Sequence, residues 1–344
     1  MKVHFVSFHA KPEAFLDDAS FRYRCENLSV ALTLKGVSTK LQHITSFALE
    51  PGISHVVFHR PKYSTRFRRL IKQLKLANIK AIADFDDLVF DEAYVEFSPA
   101  VLNDILSAKK VSKKYRAHFE ALSFFENISV STHTLARYAQ RLFPDASTTV
   151  LNNATHYNWP YKKPLSSAYR RPVITYFPGT RSHDRDFWQI EEVIEYFLQH
   201  NSSVNLLVIG PLLSPFLNKG NKQVKHVRRL PFINYTQAVS NAWVNLLPLE
   251  PTPFNQCKSA LKVIEAAAYH APTICSPLPD ALRFDGIGAI TAIDQQQWLN
   301  SLDKLMDPTF YKSTINQIEK QFSQAAAPAL MADTFCETHG LTSK

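Results

Sequence analysis

Apolar, β-rich runs alternate with segments of helical period along almost the whole chain, and the alternation breaks once and restarts. In the first half the strand candidates are KVHFVSF, VSTKLQHI, SHVVFHR, KAIADF, NISVST and TTVLNN. Helix candidates start near Ser20, Ser64, Pro99 and His133. Ser20 suits an N-cap, and Gly36 suits the residue just past the end of that helix. Strands joined by helices of this length need crossover connections, which implies a parallel, doubly wound sheet. The break is NWPYKKPLSSAYRRP (158–172), a proline-rich polar stretch that reads as a linker. After it come VITYFP, a helix near 186–200, VNLLVIG, VKHVRRL, a short helix, WVNLLPL, a helix near 258–269 and PTICS. Residues 294–340 read as two or three helices without a further strand. The expected fold is therefore α/β, with two Rossmann-like domains, an interdomain cleft and a helical C-terminal segment. The expected boundaries are 1–165, 166–325 and a tail at 326–344 that packs back on the first domain. Ligands of such sheets bind beyond the C-terminal strand ends, so the cleft is the expected site.

Charge is distributed unevenly. The net charge of the 344 residues is +9, of which residues 1–165 supply +8, from 23 Lys and Arg against 15 Asp and Glu. The excess concentrates in KYSTRFRRLIKQLK (62–75) and KKVSKKYRAH (109–118). These stretches are either two solvated helix faces or an attractor for something anionic, whether a nucleic acid, a phosphorylated glycan or an acidic membrane surface. The four cysteines lie far apart with no CxxC pair, which argues against a disulfide framework or a zinc site and fits a reducing cytoplasm. MKVHFVSFHAKPE reads as a first strand rather than a signal peptide. No apolar run approaches the ~18 residues of a membrane span, so any membrane attachment is expected to be peripheral, at the inner face.

With only eight glycines, GxGxxG, GxxxxGK[ST] and GxSxG are absent, and so is HExxH. Dinucleotide dehydrogenases, P-loop NTPases and α/β-hydrolases lose their main signatures. The stretch AIADFDDLVFD (81–91) places Asp84, Asp86 and Asp87 at a strand end, where they could hold a metal.

Two segments of the second half could carry chemistry. In NLLPLEPTPFNQCKSALKVIEAAAYHAPTICS (245–276), a strand runs through a proline-rich loop into a helix expected to begin near Cys257. On that helix Lys258, Lys262 and Glu265 fall within about 60° of one another. They form either a cleft-lining charged stripe, with Lys258 and Ser259 at an anion-accepting helix end, or an ordinary amphipathic face with a Lys–Glu pair. In VITYFPGTRSHDRDFWQIEEVIEYF (173–197), Gly179 allows a tight turn at a strand end, and Arg181, His183 and Arg185 supply polar or cationic groups. Asp184 or Asp186 would cap the helix that follows.

PGTRSHDRDF and PFNQCKSALKVIEAAAYHAPTICS together resemble the donor-binding domain of GT-B glycosyltransferases, nearest to bacterial cell-surface polysaccharide enzymes related to family 4. FRYRCENLSVALTLKG, DFDDLVFD, VSTHTLARY and VLNNATHY resemble the first domain and hinge of the same group, so the resemblance spans nearly the whole chain. It implies the GT-B architecture, a nucleotide-diphosphate sugar held by the second domain, and a glycan or lipid-linked acceptor held by the first. It also implies retention of configuration, no cofactor and no bound metal, in surface polysaccharide or lipopolysaccharide assembly. By this resemblance Glu265 meets the nucleotide ribose. Lys258 and Ser259 lie at the pyrophosphate, and Gly179, Thr180 and Arg185 lie near the donor phosphates, with Arg181, Asn255 and Lys262 completing the donor site. Lys258 and Arg185 are the expected neutralisers of the departing diphosphate, and His183 is the third expected catalytic residue. Arg22, Arg24, Asp86 and Asp87 are expected on the acceptor side. The chain departs from the family pattern at three places: Cys257 stands where the first glutamate of family 4 would, with Glu250 and Asn255 as the nearby candidates for that role; Gly179-Thr180, with Arg181 next, replaces the usual Gly-Arg of the phosphate loop; and His270 stands where a glycine usually follows the EAAA helix.

Two other readings compete. A metal-dependent phosphohydrolase would use DFDD, but its nucleophile should follow the first strand, and this motif follows the fourth. A degenerate, non-catalytic glycan-binding relative is the other. No recognised nucleic-acid motif accompanies the basic charge, so no nucleic-acid partner is expected.

Overall fold

The computed structural model describes residues 1–159, 172–218 and 220–341, and the linker expected at 158–172 lies almost wholly outside them. The first sheet is built from β1 (Lys2–Ser7), β2 (Ser38–His43), β3 (Ile53–His59), β4 (Lys80–Phe85), β5 (Asn127–Val130) and β6 (Ser147–Val150). Its order is β2-β1-β3-β4-β5-β6, and every pairing is parallel. Steps from β3 to β6 run one way across the sheet, and the step from β1 to β2 runs the other. Right-handed crossovers then place the Thr65–Leu76, Ala108–Leu122 and His133–Leu142 helices on one face and Asn27–Leu34 on the opposite one. The apolar clusters follow this division. Phe67, Leu74, Leu122 and Leu135 pack with Val6 and Phe58, whereas Leu28 and Leu32 pack with Val3 and Phe5.

The second sheet contains β7 (Val173–Tyr176), β8 (Asn205–Ile209), β9 (Val224–Val227), β10 (Val244–Leu247), β11 (Thr273–Cys275) and β12 (Ala289–Thr291). It is again wholly parallel, in the order β12-β11-β10-β7-β8-β9. Three helices close the chain, Gln295–Met306, Pro308–Ala325 and Pro328–His339. The last returns to the first domain, where Met331, Ala332 and Phe335 join the cluster around Phe5 and Leu32.

Local expectations differ from the structure at several places. The first helix is capped by Asp18, whose carboxylate accepts from Ser20 N, rather than by Ser20. It then widens to a π-turn over Arg22–Glu26 before Asn27–Leu34, and Gly36 follows with φ +80°. The helix expected from Pro99 is a single turn, Pro99–Leu102, with the long helix starting afresh at Ala108. Strand β12 has no counterpart among the sequence-based strands, because three residues behind Gly286 and Gly288 are too few to show a period. The helix expected from Cys257 is split into Pro253–Gln256 and Leu261–Ala267, and the Asp280 carboxylate accepts from Ala260 N between them.

The centre of the first domain holds a buried ion pair. Arg24 is 1% exposed, and its Nη2 and Nε donate to Asp84 Oδ1 (2.7 Å) and Oδ2 (3.1 Å). Ser129 Oγ and His59 Nδ1 also donate to Asp84, at 2.7 and 3.3 Å. Burial alone would raise the Asp84 carboxyl, but the Arg24 guanidinium and the His59 hydrogen bond outweigh it and hold it well below the usual carboxylate range. Removing either partner strands a buried charge. Arg24→Met or Asp84→Asn should each lower the unfolding free energy by about 3–5 kcal/mol, and the double replacement Arg24→Met with Asp84→Leu should recover part of that loss, as read by urea denaturation.

Two buried histidines make stability depend on pH. Burial drives His118 down to about 3, against a hydrogen bond to Pro61 O that favours the charged form. Burial beside Lys80 drives His339 down to about 4. Both stay neutral in the fold but titrate near ~6.5 when unfolded, so unfolding takes up protons below that pH. Stability should be flat above ~6.5 and fall below it by about 1.4 kcal/mol per pH unit per histidine. His118→Gln should flatten the slope of urea midpoints measured between pH 7 and pH 5.

Candidate active site between the two sheets

The C-terminal strand ends of the two sheets face a shared cleft of about 170 Å3. Asp86, Asp87 and Asn153 line it from the first domain, and Pro178, His183, Lys258, Ser259 and Lys262 are among its lining from the second. Hydrogen bonds cross between the domains beside it. Asn153 Nδ2 donates to Ser259 Oγ (2.8 Å), Thr132 Oγ1 to Cys257 O (2.9 Å), and Tyr23 Oη to Glu265 Oε1 (2.8 Å). Asn103 receives Arg185 N and donates to Ser182 O, each at 3.0 Å. A larger hollow of about 300 Å3 on the second domain, lined by Thr291, Gln297 and Lys304 among others, brings together a single charged group.

The three acids at the end of β4 are all partnered. Beyond the Arg24–Asp84 pair, Arg60 Nε donates to Asp86 and its Nη2 to Asp87, both at 2.6 Å. Ser20 Oγ adds a 2.5 Å bond to Asp86. Arg60 holds φ +45°, a left-handed conformation rare for arginine, as it turns off β3 toward these carboxylates. Cys25, His59 and Asp84 lie within 4.8 Å of one another and are buried, so their fit to a cation can be tested. Burial pushes the Cys25 thiol well above its ordinary value, Asp84 adding to the rise, and Arg24 already occupies the carboxylate. This donor set does not suit a metal ion. It does not suit the phosphohydrolase alternative either, because an attacking Asp84 would need a free oxygen and is 2% exposed.

The same geometry corrects the expected role of Arg24. It lies under the cleft wall, fully engaged with Asp84, Leu151 O and Asn153, and is closed to any acceptor. Arg22 stays partly accessible, with its guanidinium 4.7 Å above the Phe232 ring and its Nη1 3.4 Å from Glu26.

In the second domain the loop after β7 turns at Gly179 (φ +73°). Thr180 N donates to Pro178 O (2.8 Å), and Thr180 Oγ1 lies 2.5 Å from Ser182 Oγ. Arg181 turns aside to Asp184 (3.2 Å). Arg185 forms a fork with Glu250 at 2.8–3.1 Å, so the expected phosphate cation and the expected stand-in acid neutralise each other. Asn255 is buried. Its Nδ2 donates to Asp186 Oδ1 and Glu250 O, each at 3.1 Å, and its Oδ1 has no partner. Asp186, read from the sequence only as a possible cap, is the hub of this group. It also accepts from Glu250 N (2.8 Å) and from His183 Nδ1 (2.8 Å). Burial and the nearby Lys258 charge depress the His183 pKa against the pull of Asp186. With Nδ1–H given to Asp186, a neutral His183 keeps Nε2 as an acceptor at the cleft.

The cations divide into held and free. Lys262 Nζ donates to Tyr235 Oη (2.6 Å) and Glu265 Oε2 (2.7 Å), above the Phe177 and Tyr235 rings. Glu265 is 3% exposed and also receives the hydroxyls of Tyr23 and Tyr235, so both its oxygens are occupied. Burial, with Glu265 beside them, pushes both tyrosine hydroxyls far above their ordinary pKa, which keeps them donors. The Lys258 ammonium makes no hydrogen bond or ion pair among the described residues and stands 5.6 Å from the Phe254 ring. Cys257, beside it, is sunk into the first domain's core with Phe254, and burial pushes its thiol up to about 12. Sequence reasoning missed Tyr23, Tyr235, Asn103, Asn153 and Asp186. The only local signal among them is the His183–Asp186 spacing of three.

No protein-family model and no curated protein sequence matches the chain. Solved structures do. Anabaena HepE, in complex with UDP and glucose, matches 99% of this chain and 100% of its own length at 14% identity, with a TM-score of 0.57. A glycosyltransferase of Rickettsia africae ESF-5 matches over 98% and 97% at 10% identity, with a TM-score of 0.64. The Burkholderia xenovorans α,α-trehalose-phosphate synthase, in complex with glucose-6-phosphate, matches over 92% and 77% at 13% identity and a TM-score of 0.56. At these identities the likeness is one of fold: two Rossmann-like domains around a cleft, the GT-B architecture.

Proposed function

We propose that this chain transfers a sugar from a nucleoside-diphosphate donor to a hydroxyl of a glycan or lipid-linked acceptor, with retention of configuration and without a divalent ion. The observation that carries the reading is the unpaired ammonium of Lys258 in a cleft whose carboxylates already have partners. Departure of a nucleoside diphosphate develops negative charge, and a free ammonium with the Ser259 hydroxyl beside it is placed to neutralise it. Arg185 is withdrawn into its fork with Glu250 and serves the cleft edge instead. His183 receives a donor-sugar hydroxyl on Nε2, with Asp186 as its positioning residue. Lys262 and Glu265 serve the ribose, and the Gly179–Thr180 turn lies near the diphosphate. Asp86 and Asp87, with Arg22, form the acceptor wall. Because Arg24 and Arg60 already hold the three acids, no open carboxylate set remains there for a metal, which supports an ion-free reaction. The HepE structures with UDP and with UDP-glucose support uridine as the nucleotide. Surface polysaccharide or lipopolysaccharide assembly is the proposed setting.

A screen of UDP-, GDP- and dTDP-sugars for hydrolysis and transfer, with and without EDTA, tests this reading. Activity with one donor should survive EDTA, and Lys258→Ala should lower kcat by about a hundredfold or more. If no nucleotide raises the melting temperature and no donor is consumed, the reading fails. Binding without turnover would instead identify a non-catalytic relative.

Glu265 lies buried beneath the Tyr23 and Tyr235 hydroxyls, so a ribose hydroxyl competes with them for its oxygens. Tyr23→Phe frees one carboxylate oxygen and should tighten UDP binding by about tenfold, the worth of one charge-assisted hydrogen bond, as measured by calorimetry. Glu265→Gln should weaken it.

A further inference from the structure

On the outer face of the first domain, the Thr65–Leu76 and Ala108–Leu122 helices lie side by side over one sheet face. Their inner stripes are spent on the core. Each outer stripe carries five exposed Lys or Arg side chains, while Thr65–Leu76 has no acid and Ala108–Leu122 has only Glu120. Two ion pairs reach this face from neighbouring segments, Lys75–Glu126 (3.4 Å) and Arg116–Glu92 (2.9 Å). Arg68, Lys72, Lys110 and Lys114 have no acidic partner among the described residues.

The face is also apolar where the two helices meet. Tyr63 N donates to Ala117 O (2.8 Å), joining the start of one helix to the other. Tyr63 stacks on Phe124 with centroids 5.9 Å apart and rings 22° from parallel, and the two are 37% and 40% exposed. Leu76, at the far end, is 79% exposed. Burial, and then the nearby Lys114 and Arg60 charges, lower the pKa of Lys62 just before the first of these helices.

We propose that this face docks the protein on an anionic lipid bilayer, with the cations on the headgroups and Tyr63, Phe124 and Leu76 at the acyl boundary. Mixed charge and apolar area on a helical surface is the pattern of interfacial attachment. A nucleic-acid site would instead need a groove or free base-stacking rings, whereas the exposed rings of Tyr63 and Phe124 stack on each other and Leu76 has none. Among the described residues no helix is long and apolar enough to cross a membrane, so this attachment would be peripheral. The proposal does not depend on the sugar-transfer reading.

Sedimentation of the full chain with phosphatidylcholine vesicles, with and without phosphatidylglycerol, tests it. Binding is expected only to the anionic vesicles and should weaken as salt rises. The quadruple variant R68Q/K72Q/K110Q/K114Q should lose about a hundredfold in partitioning. Phe124→Ser should lose several-fold at unchanged charge, and both variants should melt near the parent temperature. Equal binding to neutral vesicles, no binding at low salt, or full binding by the quadruple variant would overturn the proposal. Tighter binding to single-stranded RNA than to anionic vesicles would overturn it in favour of a nucleic acid.

Discussion

The buried pair between Arg24 and Asp84 is the contact on which the cleft depends. It ties the Arg22–Glu26 turn to the end of β4, draws in Ser129 from β5 and His59 from β3, and holds the chain leaving β6 through Leu151 O and Asn153. Asn153 then passes the connection to Ser259 in the second domain. Desolvating two charges consumes much of what their attraction returns, so such a pair adds little net stability over a well-packed apolar one. What it supplies is geometry: five segments are held in one arrangement at the strand ends where the site is built.

The widened turn at Arg22–Glu26 explains how adjacent residues serve different ends. Arg24 enters the core of the first domain, whereas Tyr23 reaches Glu265 across the cleft. Tyr23, Phe232, Trp159 and Tyr269 fill the space between the domains on that side, with Trp159 stacked on Tyr269 at 5.3 Å. On the other side Cys257 and Phe254 enter the first domain's core. A glutamate at Cys257 would bury an unpaired charge there, a physical reason for the thiol at that position.

Much of the architecture is readable locally. Ser64 caps its helix as its sequence suggests, with its side chain accepting from Phe67 N, and Gly36 takes the left-handed conformation past its helix. The Lys262–Glu265 pair follows from helical spacing alone. The site is less legible because its decisive contacts join distant residues. Arg185 meets Glu250, Asp186 meets Asn255, and Tyr23 meets Glu265, and no spacing rule connects them. The acids of DFDD look like metal ligands in one dimension because Arg24 and Arg60, which neutralise them, arrive from other elements.

The sequence by itself determined the α/β class, the two halves, the parallel sheets, and the crowding of polar and charged residues into strand-end loops and two basic stretches of the first half. These follow from periodicity and local composition, which act over a few residues. Tertiary structure alone decided which charges stay free. Arg24, Arg185 and Glu265 are spent on partners, while Lys258 is left open in the cleft. An ion pair forms or fails over a few ångströms, and only the folded chain sets those distances between residues far apart in sequence.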